Sequence, residues 1–238
     1  MDYMEEYRSW LGEKRLEPSL RDELTAIQSD AHEIEERFYT GLSFGTAGLR
    51  GKIGAGINRM NVHVVRRATQ GLANYLKATG QAERGVAIAY DSRRMSGEFA
   101  LETALVLNAA GIKAYLFSTL HSVPQLSFTI RHLGCIAGVV VTASHNPAEY
   151  NGYKVYWEHG GQIGPEQADE VLCCIDRVGM FDPVPMDRDE AVQKGLLVMI
   201  GDAVDEAYYS ATASLLLHPE LVREKGASLK LVYTPLHG

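Results

Sequence analysis

The middle of the chain shows two hydrophobic periodicities, one typical of strands and one typical of helices. Short runs rich in β-branched residues, such as residues 136–141, have the length and composition of buried strands. Apolar positions three and four residues apart, such as Val65, Ala68 and Leu72, predict an amphipathic helix. Strands and helices are predicted in turn over residues 85–90, 96–110, 112–117, 124–132 and 136–141. This alternation predicts an α/β fold in which a mainly parallel, mixed sheet is sandwiched by helices.

Polar residues and glycines mark the ends of the predicted helices. Asn61 can cap a helix that ends near residue 78, before Gly80, and Ser96 can cap the helix that ends near residue 110. Later segments predict a strand at 152–157, helices at 165–178 and 202–217, and a short strand at 229–233. The helix at 202–217 has five positions expected to face inward, Val204, Ala207, Tyr208, Ala211 and Leu215.

The first 40 residues or so are predicted to form a helical packing arm. Two helices, at residues 3–13 and 19–38, are interrupted by Pro18. The second helix is rich in charged residues near its end, including Glu33, Glu35, Glu36 and Arg37. We expect these charges to lie on a solvated face rather than to form a carboxylate site.

A polar loop between two predicted strands concentrates the reactive side chains of the chain. It reads Thr142-Ala-Ser-His-Asn-Pro147 and leads to the strand at residues 152–157. If the two strands lie close together, Ser144 and Lys154 face each other across the mouth of the loop. A serine oxygen can carry a phosphoryl group, and a nearby amine can stabilise charge or move a proton. The alternative is a well-capped turn, since Ser, Asn and Pro are ordinary turn residues.

Residues 42–56 form a second candidate site, a glycine-rich loop that presents Arg50. Its glycines allow the backbone to approach a ligand closely. The loop does not match a Walker phosphate loop, because Gly45 lies too far from Gly51-Lys52. It does not match the dinucleotide fingerprint either, because Arg59 occupies the place of the third glycine. Taken alone, Arg50 is either a structural residue or a ligand-binding residue.

A third polar stretch, Asp91-Ser92-Arg93, follows the predicted strand at residues 85–90. Ligands of parallel α/β sheets gather beyond the carboxyl ends of the strands, where both Arg93 and Ser144 are expected. Asp91 and Arg93 either pair with each other at a helix entrance or contact the substrate.

Composition narrows the class of protein. The chain has 238 residues, of which 46% are hydrophobic and 22% charged, as is usual for a globular protein. The formal net charge of −7 argues against nucleic-acid binding through a general electrostatic footprint, so a phosphate ligand would need local cations such as Arg50, Arg93 and Lys154. The apolar runs are too short to span a membrane, and a cytoplasmic location is expected. Cys135, Cys173 and Cys174 are expected to be buried, reduced thiols.

Three segments of the chain resemble one enzyme family. TASHNP at residues 142–147, followed by YNGYK at 150–154, resembles the phosphoserine loop of the α-D-phosphohexomutases. FGTAGLRG at residues 44–51 resembles the N-terminal motif of their phosphoglucomutase and phosphopentomutase branch. The ending TPLHG at residues 234–238 resembles the opening of the second of four domains.

The resemblance implies roles for individual residues. Ser144 would carry the phosphate, Lys154 would act as an acid or base, His145 would act beside the serine, and Arg50 would contact phosphate in the active site. Three further residues are expected to bind substrate or phosphate, Thr142, Asn146 and Arg93. The cofactor implied is Mg²⁺, to which this chain would offer only an oxygen of the phosphate on Ser144, because the aspartate ligands of the family are expected outside it.

The resemblance also implies a reaction and a domain plan. The expected reaction interconverts glucose 1-phosphate and glucose 6-phosphate through a hexose bisphosphate, without nucleic-acid or membrane partners. Residues 1–226 would form the first domain, including the arm, and residues 227–238 would begin a truncated second domain. The chain alone is expected to be inactive without its C-terminal domains. Two alternatives stay open, a phosphopentomutase acting on ribose or deoxyribose phosphates, and a non-catalytic domain that binds sugar phosphates.

Overall fold

A computed structural model describes residues 2–45 and 48–234 of the chain. The helices are α1 (Tyr3–Gly12), α2 (Pro18–Ala26), α3 (Ala31–Phe38), α4 (Val62–Ala78), α5 (Ser96–Ala109), α6 (Val123–Leu133), α7 (Pro165–Asp176), α8 (Arg188–Gln193), α9 (Asp202–Ala213) and α10 (Pro219–Lys225). The strands are β1 (Leu49–Lys52), β2 (Val86–Tyr90), β3 (Ala114–Phe117), β4 (Ala137–Val141), β5 (Tyr150–Trp157) and β6 (Leu197–Ile200). Two residues of the FGTAGLRG segment, Thr46 and Ala47, and the last four residues of the TPLHG ending lie outside the described residues.

The strands form one mixed sheet in the order β1-β5-β4-β2-β3-β6. β4, β2, β3 and β6 are parallel neighbours, whereas β5 pairs antiparallel with both β4 and β1. This confirms the predicted mainly parallel, mixed sheet. Tyr90 at the end of β2 pairs with Val141 at the end of β4, so the loops after these two strands begin side by side. Sequence patterns did not predict β1, β6 or α8, which are short.

Both faces of the sheet are covered by helices, as the pattern predicts. Along β2, Val86 and Ile88 join the larger hydrophobic cluster, which includes residues of α4, α5 and α7. Ala87 and Ala89 point the other way, into a second cluster with residues of α6 and α9. Every one of these four side chains is fully buried. None of the described helices is long and apolar enough to cross a membrane.

Asn61 caps α4 as predicted, since its side chain accepts a hydrogen bond from the amide of Val64. The helix packs tightly on α7 at Gly71, where an added Cβ would lie 2.3 Å from Cγ1 of Ile175. The apolar stripe of α4 is therefore buried along its length, with Val65, Ala68 and Leu72 in the core.

The N-terminal arm contains three helices rather than the two predicted. The predicted helix at 19–38 is interrupted after Ala26, and α3 begins again with Asp30 as its N-cap. Asp30 stabilises the start of α3, because its carboxylate accepts a hydrogen bond from the amide of Glu33 at 3.0 Å. The arm packs through its own cluster, in which Trp10 and Phe38 are fully buried.

Arg37 does not lie on a solvated face, so the expectation for this residue is wrong. Its guanidinium donates to Glu23 at 2.5 Å, to Glu33 at 2.8 Å and to the carbonyl of Ala55 at 3.1 Å. These partners satisfy the charge as it is buried between the arm and the loop that follows. Glu35 and Glu36 are exposed, as predicted.

The end of the chain differs from the prediction. The helix expected at 202–217 ends at Ala213, and Leu215 is 77% exposed, so only Val204 of the expected inward positions is buried. The strand expected at residues 229–233 is absent from the described chain. Leu231 and Val232 are 75% and 90% exposed. A strand forms when it pairs with a sheet edge, and these residues lie against none of the described strands.

Candidate active site

Ser144 lies on the loop that connects β4 to β5, at the carboxyl edge of the parallel strands. Its φ of 55° falls in the left-handed region, which is unusual for a residue that carries a side chain. The amide of Ser144 donates to Oγ1 of Thr142 at 2.9 Å, and the amide of Asn146 donates to the carbonyl of Ala143 at 3.1 Å. The loop is therefore a well-capped turn that also holds its serine in a strained backbone conformation. His145 is exposed beside it.

Lys154 reaches the same region through strand pairing. β5 runs antiparallel to β4, and Lys154 pairs with Val140, while the carbonyl of Gly152 accepts from the amide of Thr142 at 3.1 Å. Burial lowers the pKa of Lys154, the charge of Arg50 lowers it further, and Asp91 opposes both. The lysine is therefore half-buried within electrostatic range of another cation, which favours its neutral form.

Arg50 lies on β1, which pairs with β5 so that Arg50 is opposite Gly152. Its Nη1 donates to Oδ1 of Asn146 at 3.0 Å. Two glycines make this approach of strands possible. A Cβ at Gly48, whose φ is 73°, would lie 1.9 Å from the carbonyl oxygen of Tyr153, and a Cβ at Gly152 would lie 2.6 Å from that of Thr142. The glycine loop thus contacts the serine loop directly. The sequence did not reveal this contact, because it depends on β1, which the sequence patterns did not predict.

The guanidinium of Arg93 is directed at the backbone of the serine loop. Its Nη1 donates to the carbonyl of Pro147 at 2.9 Å and to that of Tyr150 at 3.2 Å. Its Nη2 donates to the carbonyls of Ser144 and Asn146, each at 2.6 Å. Nε faces Oδ2 of Asp91 at 3.4 Å, so the pairing of Asp91 with Arg93, left open by the sequence, is present. The partners of Arg93 within the protein are thus loop carbonyls and Asp91, and its contact with a phosphate stays a prediction.

A buried polar network supports these loops and was not predicted. Oδ1 of Asp91 accepts from Oγ of Ser96 at 2.7 Å, and Nδ2 of Asn151 donates to the same Oγ at 2.9 Å. Asn151 is fully buried, and its Oδ1 accepts from the amide of Gly152. Ser96 was predicted to cap α5, but it is the first residue of the helix and Met95 precedes it as the cap. Ser96 instead joins the loop after β2 to the start of β5.

The Asn-Gly pair at the start of β5 is the one sequence signal that could have revealed Asn151. A buried amide needs partners for both of its ends, and an asparagine can bond its neighbouring backbone. Nothing in the local pattern indicates that those partners would be Ser96 and the carbonyl of Arg94, because both are more than 50 positions away.

Residues 41–179 match the family model described as "Phosphoglucomutase/phosphomannomutase, alpha/beta/alpha domain I". This chain belongs to that family. The match includes the glycine loop with Arg50, the Asp91-Ser92-Arg93 stretch and the serine loop with Lys154. The resemblance noted from the sequence is therefore confirmed.

Relatives in the family carry two different activity names. The phosphoglucomutase of Staphylococcus haemolyticus is 38% identical over 208 residues, which are 86% of this chain and 36% of the relative. A protein of Schizosaccharomyces pombe assigned as a phosphoribomutase is also 38% identical, over 220 residues that are 88% of this chain and 36% of the relative. The chain thus spans little more than a third of the length of these two relatives.

Solved structures agree with the fold. The structure of a protein of Thermus thermophilus assigned as a phosphomannomutase superposes with a TM-score of 0.64 at 27% identity, covering 76% of this chain and 38% of that one. A phosphoglucomutase/phosphomannomutase family protein of Burkholderia thailandensis, at 23% identity and a TM-score of 0.52, shares the fold. It covers 69% of this chain and 34% of its own.

The part of the chain that the structure describes has no grouped side-chain ligands for the magnesium ion that the resemblance implies. Among residues 2–45 and 48–234, no three His, Cys, Asp or Glu side chains are grouped so that they could hold a metal ion. These residues therefore do not by themselves fit the ion.

Proposed function

We propose that the protein to which this chain belongs is a phosphoglucomutase that interconverts glucose 1-phosphate and glucose 6-phosphate through a phosphorylated Ser144. The observation that carries the proposal is the geometry of Ser144. It lies on a left-handed turn at the carboxyl edge of the sheet, and β1 and β5 bring Arg50 and Lys154 to the same edge. The family match over residues 41–179 and the phosphoglucomutase relatives support the choice of reaction.

In the proposed reaction, a hydroxyl oxygen of the sugar phosphate attacks the phosphorus carried by Ser144. The bond from phosphorus to Oγ breaks as the new phosphorus–oxygen bond forms, and Lys154 passes the hydroxyl proton to the departing Oγ. The bisphosphate then gives its other phosphoryl group to Oγ, and Lys154 passes the proton of Oγ to the departing sugar oxygen. Because the pKa of Lys154 is lowered by burial, a larger share of the amine is neutral and able to accept a proton.

The remaining residues have supporting roles in this proposal. Arg50 is exposed at the loop, where its guanidinium can bind two oxygens of a phosphate at once. His145 acts beside Ser144, from an exposed position on the same turn. Thr142 and Asn146 serve the phosphate site by holding the amide of Ser144 and the guanidinium of Arg50.

The test is turnover of glucose 1-phosphate by the full-length protein, with mass spectrometry of the phosphorylation site. We expect phosphate on Ser144 and loss of nearly all turnover in Ser144→Ala. Ser92→Ala, at an exposed serine on the same edge of the sheet, is the matched control and should stay active. Full turnover by Ser144→Ala would refute the proposal. A protein that binds glucose phosphates but carries no phosphate on Ser144 would be a binding domain instead.

A pentose substrate is the second candidate, and the S. pombe relative favours it. That protein, assigned as a phosphoribomutase, is as similar to this chain as the phosphoglucomutase of S. haemolyticus. Both sugars would use the same phosphoserine chemistry. Comparing kcat/KM for glucose 1-phosphate and ribose 1-phosphate in the full-length protein decides between them, because the larger value identifies the substrate.

We further propose that the chain alone turns over little substrate, because the domains that complete its longer relatives would supply the rest of the cleft. A phosphate on Ser144 is the one ligand that this chain would contribute to Mg²⁺, and no step above depends on the ion. The boundary between residues 226 and 227 and the cytoplasmic location stay predictions. Substantial turnover by the 238-residue chain, abolished by Ser144→Ala, would contradict the proposal that the chain alone turns over little substrate.

A further inference from the structure

We propose that Arg93 is a positioning residue, which sets the backbone of Ser144 for phosphoryl transfer and does not bind the substrate phosphate. The kinetic consequence of this role rests on the proposed function, but the contacts that Arg93 makes do not. These contacts hold the strained backbone of Ser144 in place on the loop after β4.

The donors of Arg93 and their acceptors match in number. A guanidinium has five N–H groups, four on the two Nη atoms and one on Nε. The Nη atoms donate to four carbonyl oxygens of the serine loop at 2.6 to 3.2 Å, and Nε faces Asp91. The side chain is only 12% exposed. Each N–H therefore already faces an acceptor, and a phosphate would have to displace the loop in order to bind.

The four carbonyls span the loop from Ser144 to Tyr150. Their oxygens converge on one point, where their negative ends would repel each other without a cation between them. A planar guanidinium can satisfy several such oxygens in fixed directions, whereas a lysine ammonium has three donors and a less defined geometry. The loop conformation and the identity of residue 93 are therefore linked.

Both peptide groups that flank the Cα of Ser144 are fixed by side chains. Its amide donates to Oγ1 of Thr142 at 2.9 Å, and its carbonyl accepts from Nη2 of Arg93 at 2.6 Å. Together they hold a φ of 55°, a conformation that a serine rarely adopts. These contacts use the backbone of Ser144 and leave Oγ available for reaction. The direction of the hydroxyl follows from the backbone that Arg93 helps to fix.

Arg93 is itself held by the sheet. The carboxylate of Asp91 accepts from the amide of Arg93 at 3.0 Å, and the amide of Asp91 donates to the carbonyl of Val141 at 3.2 Å. Asp91 directly follows β2 and Val141 is the last residue of β4, and these two strands are parallel neighbours. A rigid part of the fold is therefore connected through Arg93 to the turn that carries the serine. Arg50, which is exposed, has the position expected of a phosphate contact instead.

The experiment compares Arg93→Lys with Arg94→Lys in the full-length protein. Arg94 is the neighbouring arginine and its side chain is exposed, so it controls for the change of one arginine to lysine. For Arg93→Lys we expect kcat to fall about 10²-fold, the effect of a small misplacement of a reacting group, with KM changed less than about 3-fold. An increase in KM with unchanged kcat would instead assign Arg93 to substrate binding and overturn the inference.

Amide hydrogen exchange on the same variants tests the geometry without any assay of activity. Exchange should rise at residues 142–150 in Arg93→Lys, with little change elsewhere and none of this rise in Arg94→Lys. Equal exchange of the loop in wild type and Arg93→Lys would overturn the inference even if the protein is a mutase. Faster exchange of the loop in a protein that has no mutase activity would support the positioning role and refute the proposed function alone.

Discussion

Nη1 of Arg50 donates a hydrogen bond of 3.0 Å to Oδ1 of Asn146, which lies 96 positions later in the chain. The contact joins the glycine loop to the serine loop. It exists because β1 pairs with β5, which places Arg50 opposite Gly152 at the start of the strand that follows the serine loop. Two segments that are separate candidates in the sequence therefore form one surface at the edge of the sheet.

Arg50→Ala should reduce phosphoryl transfer far more than it reduces stability. The residue is exposed, so its loss should change the free energy of unfolding by no more than about 0.5 kcal/mol. Loss of a cation that stabilises the transferring phosphate should lower kcat/KM about 10²-fold. Lys52→Ala, an exposed cation two residues along β1, is the control, measured by the same turnover and urea-unfolding assays. An equal loss of activity in Lys52→Ala would show a general effect of charge.

Lys154→Met should make the protein more stable below the pH at which a free lysine titrates. Burial and the charge of Arg50 lower the pKa of Lys154 in the folded state, so the unfolded chain binds this proton more strongly. The stability contributed by this group therefore rises with pH between the lowered pKa and about 10.4, the value of an unperturbed lysine. The stability advantage of Lys154→Met over wild type should therefore shrink as the pH rises through this range.

Urea unfolding at pH 7 and at pH 9.5 measures the difference between Lys154→Met and wild type. Lys77→Met, at an exposed position of α4, controls for the loss of one lysine. A wild type more stable than Lys154→Met at pH 7 would show that the ammonium is stabilised where it lies, and would contradict the prediction.

Trp10→Ala should strongly destabilise the attachment of the N-terminal arm. Trp10 is fully buried, with ring centroids 5.0 Å from Phe181 and 5.8 Å from Phe38. Truncation of such a side chain costs about 3–5 kcal/mol, and Tm should fall by about 2–4 °C per kcal/mol. Trp10→Phe should cost much less, because it keeps an aromatic ring and removes a buried Nε1 that has no hydrogen-bond partner in the described chain. Similar melting temperatures for Trp10→Ala and wild type would contradict the packing of the arm.

The three cysteines should differ in their reactivity towards a thiol reagent. Only Cys135 is fully buried as the sequence predicts, whereas Cys173 is exposed and Cys174 is half-buried on α7. Burial raises the pKa of Cys135 to about 11, so little of it is the reactive thiolate at neutral pH. Mass spectrometry after iodoacetamide treatment should show Cys173 modified first and Cys135 only on unfolding. Cys173→Ser should remove the fast phase, and rapid modification of Cys135 in that folded variant would contradict the prediction.

The sequence alone determined the class of fold and the main candidate. The pattern of residues 85–141 favours buried strands between amphipathic helices, because the short apolar runs are rich in β-branched residues and the longer segments repeat at helical spacing. Ser144 and Lys154 were recognisable because a polar loop interrupts two apolar strands, and the family motifs assigned them roles. The same local signals predicted the cap at Asn61 correctly, because a cap depends on contacts within one turn of helix.

Tertiary structure alone decided which partners each polar side chain has. The sequence placed Arg93 near the site, but its partners include four carbonyls more than 50 positions away, which converge only after β2 and β4 pair. Arg37 is buried rather than solvated because Glu23 and Ala55 fold around it. Local patterns report which residues are apolar and how they repeat, whereas the partners of a charged group are set by strand order and register. For this reason the sequence identified Ser144, and only the fold showed how its backbone is held.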